Sequence, residues 1–484
     1  MSETIGEMIL PGTYIEVRAE GLIGVGGIAT GNVGVVGTAN RGPVGKVVVL
    51  GSYAEAVETF GPYDRWADPP LVVDPLHPFT PPLTLTRTLE QLFKGGASTV
   101  YAVRIANGTP AAMSWKVESA PASLPSDASI LFVLTAKSPG TWANAIAAAL
   151  DAPAGQPATL TLTLGKTKES FSGSTAAELA SAVAAGSRLV DVSNLATGST
   201  PPPQSIVPSP TAGGPDGATA GTTEVASGLG FLANQAVNIV VVGGLAAKEV
   251  AGTVLAHLEQ TENDGQERLA VLGASSDEPA KLFADDSSKG SNPRLILVAP
   301  GLVADDAARA GEANPAVKLP GAYAAALVAG RLATLAPHVS LTNKDVAADD
   351  LTTDYSRAQQ KQLLGHQVLV LQKNLGIRVL KGITTDTGAF RQISVRRIVD
   401  YAKAGVRIGA NPYIGRLNNL RVRAALKATL DGFLSGMVLD EMLTGYKLDV
   451  TATRAQEITG QAIVTMLLQP TFSIDFVKVI MNLE

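Results

Sequence analysis

The stretch LGIRVLKGITTDTGAFRQISVRRIVDYAKAGVR, from Leu375 to Arg407, is the most distinctive text in this chain of 484 residues. It predicts a strand at Ile377–Leu380 and a helix at Ser394–Ala404 that carries Arg396 and Arg397. A long helical segment and two apolar strands follow it. We expect this carboxyl end to hold copies of the protein to one another, and we expect a structural, self-assembling protein rather than an enzyme.

The long helix is predicted at Leu417–Leu443, from an apolar stripe that recurs at helical spacing. The strands are predicted at Ile463–Leu468 and Phe472–Ile480, and the Gln469-Pro470-Thr471 stretch between them is typical of a hairpin turn. The last strand is free to pair with another copy of the chain. Its candidate interface residues are Phe472, Ile474, Asp475, Phe476, Val477 and Lys478.

Charge is unevenly distributed along the chain. Residues 376–484 hold 14 Lys and Arg against 9 Asp and Glu, whereas residues 1–375 hold 24 against 34. A basic end and an acidic body can attract one copy to the next, although scattered, solvated charge is an equal alternative. Arg396 and Arg397 lie either on a solvated helix face with intrachain partners such as Asp400, or at an interface as anchors, because the guanidinium fork suits carboxylates. The charged interface candidates are Arg396, Arg397, Lys403 and Arg407.

Composition limits the classes of protein that this chain can represent. Apolar residues make up 46 % and charged residues 17 %, so a large core is possible. No secretory signal and no apolar stretch of the roughly 20 residues of a membrane-spanning helix is predicted. The absence of cysteine excludes disulfides and thiolate metal sites and is typical of a reducing cytoplasm. The net charge of −5 makes nucleic acid an unfavourable partner.

The chain opens with an alternating stretch, GTYIEVRA, that predicts a half-buried strand. Its pairing partner must come from far along the chain or from another copy, and its candidate interface residues are Tyr14, Ile15, Glu16, Val17 and Arg18. Short elements follow, and they are predicted as strands at Val33–Val36, Val47–Leu50 and Thr99–Ile105 and as helices at Ser52–Phe60 and Leu83–Lys94.

From about Ala111 the composition changes, and residues 111–222 are interpreted as an inserted, mostly β domain. Residues 198–222 are rich in Pro, Gly and Ser and predict a linker. The insert has predicted strands at Ile130–Thr135, Ala145–Leu150 and Ala158–Leu164 and a helix at Thr175–Ala185.

From Val225 onward strands and helices alternate, which is typical of a largely parallel sheet covered on both faces. The predicted strands are Val237–Val242, Arg268–Leu272, Arg294–Ala299 and Val368–Gln372. The predicted helices are Ala246–Gln260, Gly321–Leu335 and Arg357–Leu364.

Motifs for enzyme chemistry are weak. GVGGIA at Gly24–Ala29 matches a dinucleotide-binding pattern, but no helix follows it and the expected acidic residue is absent, so a turn is favoured. GKT at Gly165–Thr167 follows an alternating strand and predicts a hairpin turn. The four histidines lack metal-ligand spacing, and no nucleophile elbow occurs. No catalytic residue, metal or cofactor is therefore predicted.

At GITTD, SVRRIVDY and the closing strands, the chain resembles the contractile tail sheath proteins of phages, of tailocins and of related injection systems. PGTYIEV, VGVVGTANRGPVG, SPGTWAN at Ser138–Asn144 and LPGAYAAALVAGRLATLAPHVSLTNK agree with the family in the same order. The resemblance therefore covers nearly the whole chain. Ala143, where many relatives have glycine, and residues 386–390 depart from the family pattern.

The resemblance implies an α/β fold, α+β overall, with a subtilisin-like core that lacks proteolytic activity. It also implies an outward-facing β insert and an α+β carboxyl domain with exchanged terminal strands. The implied divisions are an amino-terminal arm at 1–20, the first part of the core at 21–110, the insert at 111–222, the subtilisin-like domain at 223–375, the sheath domain at 376–470 and the terminal arm strand at 471–484.

The same resemblance implies a homo-oligomer of hexameric rings stacked helically around an inner tail tube protein. Baseplate and tail terminator proteins are further implied partners, with assembly in the bacterial cytoplasm and without nucleic acid, cofactor or membrane insertion by this chain. Two alternatives remain open. One is an α/β hydrolase or nucleotide-binding enzyme, and the other is a different self-assembling capsid or surface-layer protein.

Overall fold

The computed structural model describes residues 27–68, 81–107, 112–119, 130–193, 203–208, 216–217, 219–285 and 290–482. The predicted amino-terminal strand, with Tyr14, Ile15, Glu16, Val17 and Arg18, lies outside these residues and stays a prediction.

The described residues contain twenty strands and eleven α-helices. The strands are β1 (Val33–Gly37), β2 (Val47–Leu50), β3 (Val100–Arg104), β4 (Ser114–Glu118), β5 (Ile130–Ala136), β6 (Ala147–Asp151), β7 (Ala158–Leu164), β8 (Thr167–Gly173), β9 (Val190–Ser193), β10 (Ser205–Pro208), β11 (Ile239–Ala246), β12 (Leu269–Gly273), β13 (Leu295–Ala299), β14 (Leu302–Asp305), β15 (Ala316–Leu319), β16 (Asp350–Leu351), β17 (Leu369–Lys373), β18 (Ile377–Val379), β19 (Leu443–Thr451) and β20 (Ile463–Pro470). The helices are α1 (Tyr53–Phe60), α2 (Leu85–Lys94), α3 (Ala176–Gly186), α4 (Thr222–Leu232), α5 (Ala247–Asn263), α6 (Pro279–Asp285), α7 (Gly321–Ala333), α8 (Arg357–Gly365), α9 (Ile393–Ala410), α10 (Leu420–Leu439) and α11 (Arg454–Ile458).

An eight-stranded sheet in the order β18-β17-β13-β12-β11-β1-β3-β2 forms the centre of the fold. The neighbours from β17 to β3 pair in parallel, and β18 and β2 close the two edges in antiparallel pairs. The prediction of a largely parallel sheet is therefore confirmed. A smaller antiparallel sheet in the order β15-β14-β16 lies beside it.

Helices cover both faces of the central sheet. On β1, Val33 and Val35 face the core that holds α1, α2 and α7, whereas Val36 faces the core that holds α4, α5 and α8. Because both faces are buried at the centre of the sheet, strands β1, β12 and β13 are continuous apolar runs, and each fully buried Val or Leu contributes about 1.5–3 kcal/mol. Helices α2 and α7 approach closely, since a Cβ on Gly330 would clash with the Leu92 carbonyl oxygen.

The segment between β3 and α4 forms a separate β structure with its own core around Phe132, Leu134 and Leu160. It consists of a four-stranded sheet, β10-β4-β5-β9, a three-stranded sheet, β6-β7-β8, and helix α3. Gly165 has a positive φ in the turn that joins β7 to β8, which confirms the predicted hairpin. The predicted linker at 198–222 is corrected, because β10 within it pairs with β4.

The carboxyl part packs α9 and α10 against the two-stranded antiparallel sheet β19–β20, which we call the ribbon. Here three predictions are wrong. The long helix starts later, where the Asn419 side chain caps it, and stops before Glu441, whose positive φ turns the chain into β19. Strand β20 pairs with β19 rather than with Phe472–Ile480, and Pro470 ends β20 instead of forming a hairpin turn.

The wrong strand pairing has a packing explanation. Pairing with β19 places Leu448, Met466 and Leu468 on one face of the ribbon, where they join the apolar core of α9 and α10. A pair between β20 and the residues after Pro470 would leave β19 without a partner. No helix in the described ranges is long and apolar enough to cross a membrane.

Candidate functional site

The ribbon presents two open strand edges. Strands β19 and β20 pair with each other from Leu443–Pro470 to Thr451–Ile463, and within the described residues neither has a second strand partner. The Tyr446 hydroxyl holds the ribbon on α10, because it donates to a side-chain oxygen of Asp431 at 2.7 Å. Unpaired N–H and C=O groups along such edges are templates for a strand from another chain.

Residues 471–482, which we call the arm, leave the end of β20 in no regular secondary structure. Its apolar side chains point away from the body: Phe472 is 64 % exposed, and Ile474 and Phe476 are each 83 % exposed. Ser473 and Asp475, between them, face the body and are partly buried. From Phe472 to Phe476 the arm therefore presents its apolar side chains outward and its polar ones inward, the reverse of an ordinary surface segment.

Asp475 is the residue that ties the arm to the body. Lys381 Nζ lies 3.0 Å from its carboxylate, and Gln392 Nε2 donates to the same carboxylate at 3.3 Å. Thr342 Oγ1 donates to its other oxygen at 3.4 Å. The predicted strand at Phe472–Ile480 is not formed within the chain, because these residues have no regular secondary structure and no described strand pairs with them. The predicted arm residues Phe472, Ile474, Asp475, Phe476, Val477 and Lys478 lie in this one segment, and their contacts with another chain stay a prediction.

The predicted charged anchors on α9 make contacts inside the chain. Arg396 is 5 % exposed, bonds to Asp400 and lies over the Phe390 ring at 4.2 Å. Arg397 is 6 % exposed and donates to the carbonyl oxygens of Thr30, Leu335 and Ala336 at 3.1, 2.8 and 3.3 Å. Burial lowers the pKa of Arg397 to about 10, so the guanidinium stays charged at neutral pH. Arg396 therefore has the predicted intrachain partner Asp400, whereas Arg397 binds backbone carbonyl oxygens instead. The prediction of a solvated helix face is wrong, because both side chains are buried, and an interface role for either stays a prediction.

Lys403 and Arg407 also pair with the body of the same chain. Lys403 Nζ lies 2.8 Å from Glu262 and 3.3 Å from Glu267. Arg407 binds both carboxylate oxygens of Glu267, at 2.8 and 3.2 Å. The basic end therefore meets the acidic body within one chain. Contacts between these cations and a neighbouring copy stay a prediction.

Arg294, which sequence reasoning missed, sits at the centre of this charge network. Its guanidinium forms a fork with Glu262 at 2.6 and 2.7 Å and a second fork with Asp400 at 2.9 and 3.0 Å. Two-pronged pairs of this kind are the stronger charge-assisted bonds. Asp400 lies more than a hundred positions from Arg294, so no local pattern in the sequence could indicate the pair.

Acid should weaken this network. The bonds from Arg294 lower the pKa of Glu262 to about 2 from a usual 4.5. A lowered carboxyl pKa stabilises the fold above pH 4.5, and that contribution is lost as the pH falls through 2. Allowing for solvent screening of this part-exposed group, we expect a loss of about 1–2 kcal/mol.

Thermal unfolding between pH 5 and 2 tests this expectation. Glu262→Gln should lower the unfolding temperature at pH 7 and flatten its fall with acid. Glu259→Gln, which removes an exposed carboxylate from the same helix, should behave like the unaltered chain. Identical acid profiles for the two variants would contradict the assignment.

Open α/β sheets bind ligands in a crevice at the carboxyl ends of two neighbouring strands after which the chain turns to opposite faces of the sheet. In this sheet the two strands are β1 and β11. Thr38 and Thr84 bridge this crevice with two reciprocal bonds, from each backbone N–H to the other's Oγ1, at 3.0 and 3.1 Å. A cavity of about 360 Å³ remains beside them, and none of the described residues that line it is charged. Burial raises the pKa of Tyr323 at its wall, which keeps the phenol neutral.

The described histidines have separate structural surroundings. His257 is buried against Arg268, with 2.9 Å between Nε2 and Nη1, and burial lowers its pKa to about 4. His366 stacks on Phe283 with ring centres 3.8 Å apart. No group of three His, Asp or Glu side chains in the described part of the chain could hold a metal.

An open-edged ribbon beside an outward-facing apolar segment is typical of proteins that assemble by strand addition. Residues 385–484 match the family model for the phage tail sheath C-terminal domain. The chain is also 26 % identical over 216 residues to the tail sheath protein of Bacillus phage SP01. That alignment spans 41 % of this chain and 36 % of the phage protein. The predicted resemblance to tail sheath proteins is confirmed.

Solved structures extend the likeness to nearly the whole chain. The sheath tail protein of Desulfitobacterium hafniense is 18 % identical, with a TM-score of 0.61 over 95 % of this chain and 100 % of that one. The sheath tail protein of Listeria innocua is 16 % identical, with a TM-score of 0.64 over 92 % and 93 %. The helical sheath of the anti-feeding prophage in its contracted state is 14 % identical, with a TM-score of 0.54 over 99 % of each.

These TM-scores show a shared fold. They support the predicted mixed α/β class with several sheets, whereas the likeness of the core to subtilisin and the predicted domain divisions stay predictions.

Proposed function

We propose that this chain is the sheath subunit of a contractile tail or injection system. It polymerises as stacked hexameric rings around an inner tube, and it contracts to drive the tube through a target envelope. The observation that carries the proposal is the ribbon with two open edges beside an exposed apolar arm, within the residues that match the sheath domain family.

Strand addition is the proposed link between copies. The arm of one copy adds to an open edge of the ribbon of the next, so that backbone bonds supply affinity and alternate side chains set the register. Each backbone bond contributes on the order of 1 kcal/mol net, and several of them tie two copies together. Because only the strand crosses between copies, the bodies can reorient while the link persists.

The rest of the proposed assembly follows the sheath family. The carboxyl part faces the tube, the β insert faces outward, and baseplate and terminator proteins close the two ends. Assembly takes place in the bacterial cytoplasm, and contraction draws on contacts stored during assembly, so no cofactor is required. Small differences per subunit, summed over a long polymer, supply the work.

Negative-stain electron microscopy of the chain expressed alone, and then with the tube protein of the same particle, tests this function. We expect hollow, ridged cylinders wider than a bare tube, either from the chain alone or on the tube as template. Monomers in both preparations would contradict the proposal. An assembly without a central channel would favour the capsid or surface-layer alternative.

A further inference from the structure

The first half of the arm differs from the second. From Thr471 to Phe476 the arm is attached to its own subunit, and the Thr471 N–H donates to the Met442 carbonyl oxygen at 3.0 Å. From Val477 to Asn482 every described side chain is exposed. The main attachment of the first half is Asp475, whose side chain is only 10 % exposed.

Three elements of the body converge on Asp475. Lys381 follows β18, and its side chain is only 16 % exposed and pairs with the carboxylate through Nζ. Gln392 precedes α9, and its carbonyl oxygen faces Ser473 while its amide faces Asp475. Thr342 also accepts a bond from the Gly382 N–H at 3.1 Å, which fixes its hydroxyl toward the carboxylate. We call Thr342, Lys381 and Gln392 the socket.

We propose that the socket holds Asp475 both in the free subunit and in the polymer, so that residues 471–476 are a fixed base and only the residues after Phe476 are exchanged. The inference rests on the proposed function and divides the predicted arm strand into two parts with different tasks. Residues 477–482 span about 20 Å when extended, which is enough for one strand of ordinary length.

Two observations favour a retained base over a latch that must open. Withdrawing Asp475 would leave the ammonium of Lys381 largely buried without its carboxylate, which is costly. When Asp475 is bound in the socket, by contrast, the side chains of Phe472, Ile474 and Phe476 already point outward, where a second copy can cover them. Lys381 Nζ also lies 4.8 Å from the centre of the Phe476 ring, which orients that side chain.

A fixed base lowers the entropy lost when the arm binds, because fewer residues must be ordered at that step. Loss of the socket should therefore weaken polymerisation without unfolding the subunit. Asp475→Lys and Lys381→Asp separately should each raise the concentration needed for polymerisation about tenfold. The double exchange restores an opposite pair, and it should bring that concentration back to within about threefold of the unaltered chain.

Polymer pelleted by ultracentrifugation is measured against subunit concentration, with the tube as template if the unaltered chain requires one. Asp440→Asn, which removes an exposed carboxylate at the end of α10, is the control and should change nothing. The single variants should stay folded, since the arm belongs to none of the apolar cores, but each should lose a few degrees in unfolding temperature because the partly buried pair is broken. The double exchange should recover most of that loss.

The outcomes of these experiments distinguish a failure of the socket proposal from a failure of the proposed sheath function. Single variants that polymerise as well as the unaltered chain, or better, overturn the fixed base. A double exchange as poor as the single variants also overturns it, because the pairing itself would not matter. A chain truncated after Phe476 should not polymerise, and sheath from that truncated chain would instead overturn strand exchange by the arm.

Discussion

Removing residues 471–484 is expected to leave a folded monomer at concentrations where the full chain forms sheath. The side chains of Phe472, Ile474 and Phe476 are exposed, so their loss takes nothing from the apolar cores. What is lost is the strand that adds to a neighbouring ribbon, together with its several backbone bonds at about 1 kcal/mol each. In a polymer, every contact of this kind is removed at once.

Sedimentation velocity and electron microscopy measure the outcome, and circular dichroism checks the fold. A point variant sharpens the test: Val479→Pro removes one N–H from the arm, whereas Val479→Ala trims the same exposed side chain and keeps that N–H. We expect Val479→Pro to polymerise poorly and Val479→Ala to polymerise nearly normally. Cylinders of sheath length from the truncated chain would refute the role of the arm.

The parts of the fold that could be predicted are those that local pattern encodes. Val33–Gly37 and Leu295–Ala299 are continuous apolar runs because both faces of their sheet are buried, and such runs indicate parallel strands without any knowledge of partners. Helix α1 could be predicted because Ser52 caps it, accepting a bond from the Glu55 N–H at 3.3 Å.

Pairing over distance could not be read from the sequence. The helical stripe of α10 runs on to Leu443, so the sequence hides the point where Glu441 turns the chain into β19. Once β19 is hidden, β20 has only Phe472–Ile480 as a nearby partner, and Pro470 supplies an apparent turn. The structure places Pro470 at the end of β20, where a missing N–H costs little.

Only part of the candidate site can be predicted from the sequence, because pairing over distance is not visible there. The sequence indicates the arm because its apolar residues lie close together in one segment, whereas its attachment depends on Lys381 and Gln392, which lie far from that segment in the sequence. On α9, the helical period places Arg396 and Arg397 on the helix but does not say whether that face meets solvent or the body. Only the packed chain shows that the body covers both.

Arg397→Glu is expected to destabilise the subunit itself by about 4 kcal/mol or more, rather than to weaken an interface alone. The substitution places a carboxylate against the carbonyl oxygens of Thr30, Leu335 and Ala336, which now accept bonds from the guanidinium. A buried charge without a partner, together with acceptors left unsatisfied, is among the most destabilising changes in a protein. At roughly 2–4 °C per kcal/mol, the unfolding temperature should fall by at least about 8 °C.

Arg421→Glu is the matched control, because it reverses an exposed arginine on the neighbouring helix α10 and should shift that temperature by little. Differential scanning calorimetry and soluble yield measure both variants. If Arg397 acted at an interface instead, Arg397→Glu would keep the unfolding temperature of the unaltered chain and would fail to assemble. A stable Arg397→Glu subunit that cannot form sheath would therefore restore the interface hypothesis, whereas an unstable one places the side chain within the subunit, where it joins α9 to the body.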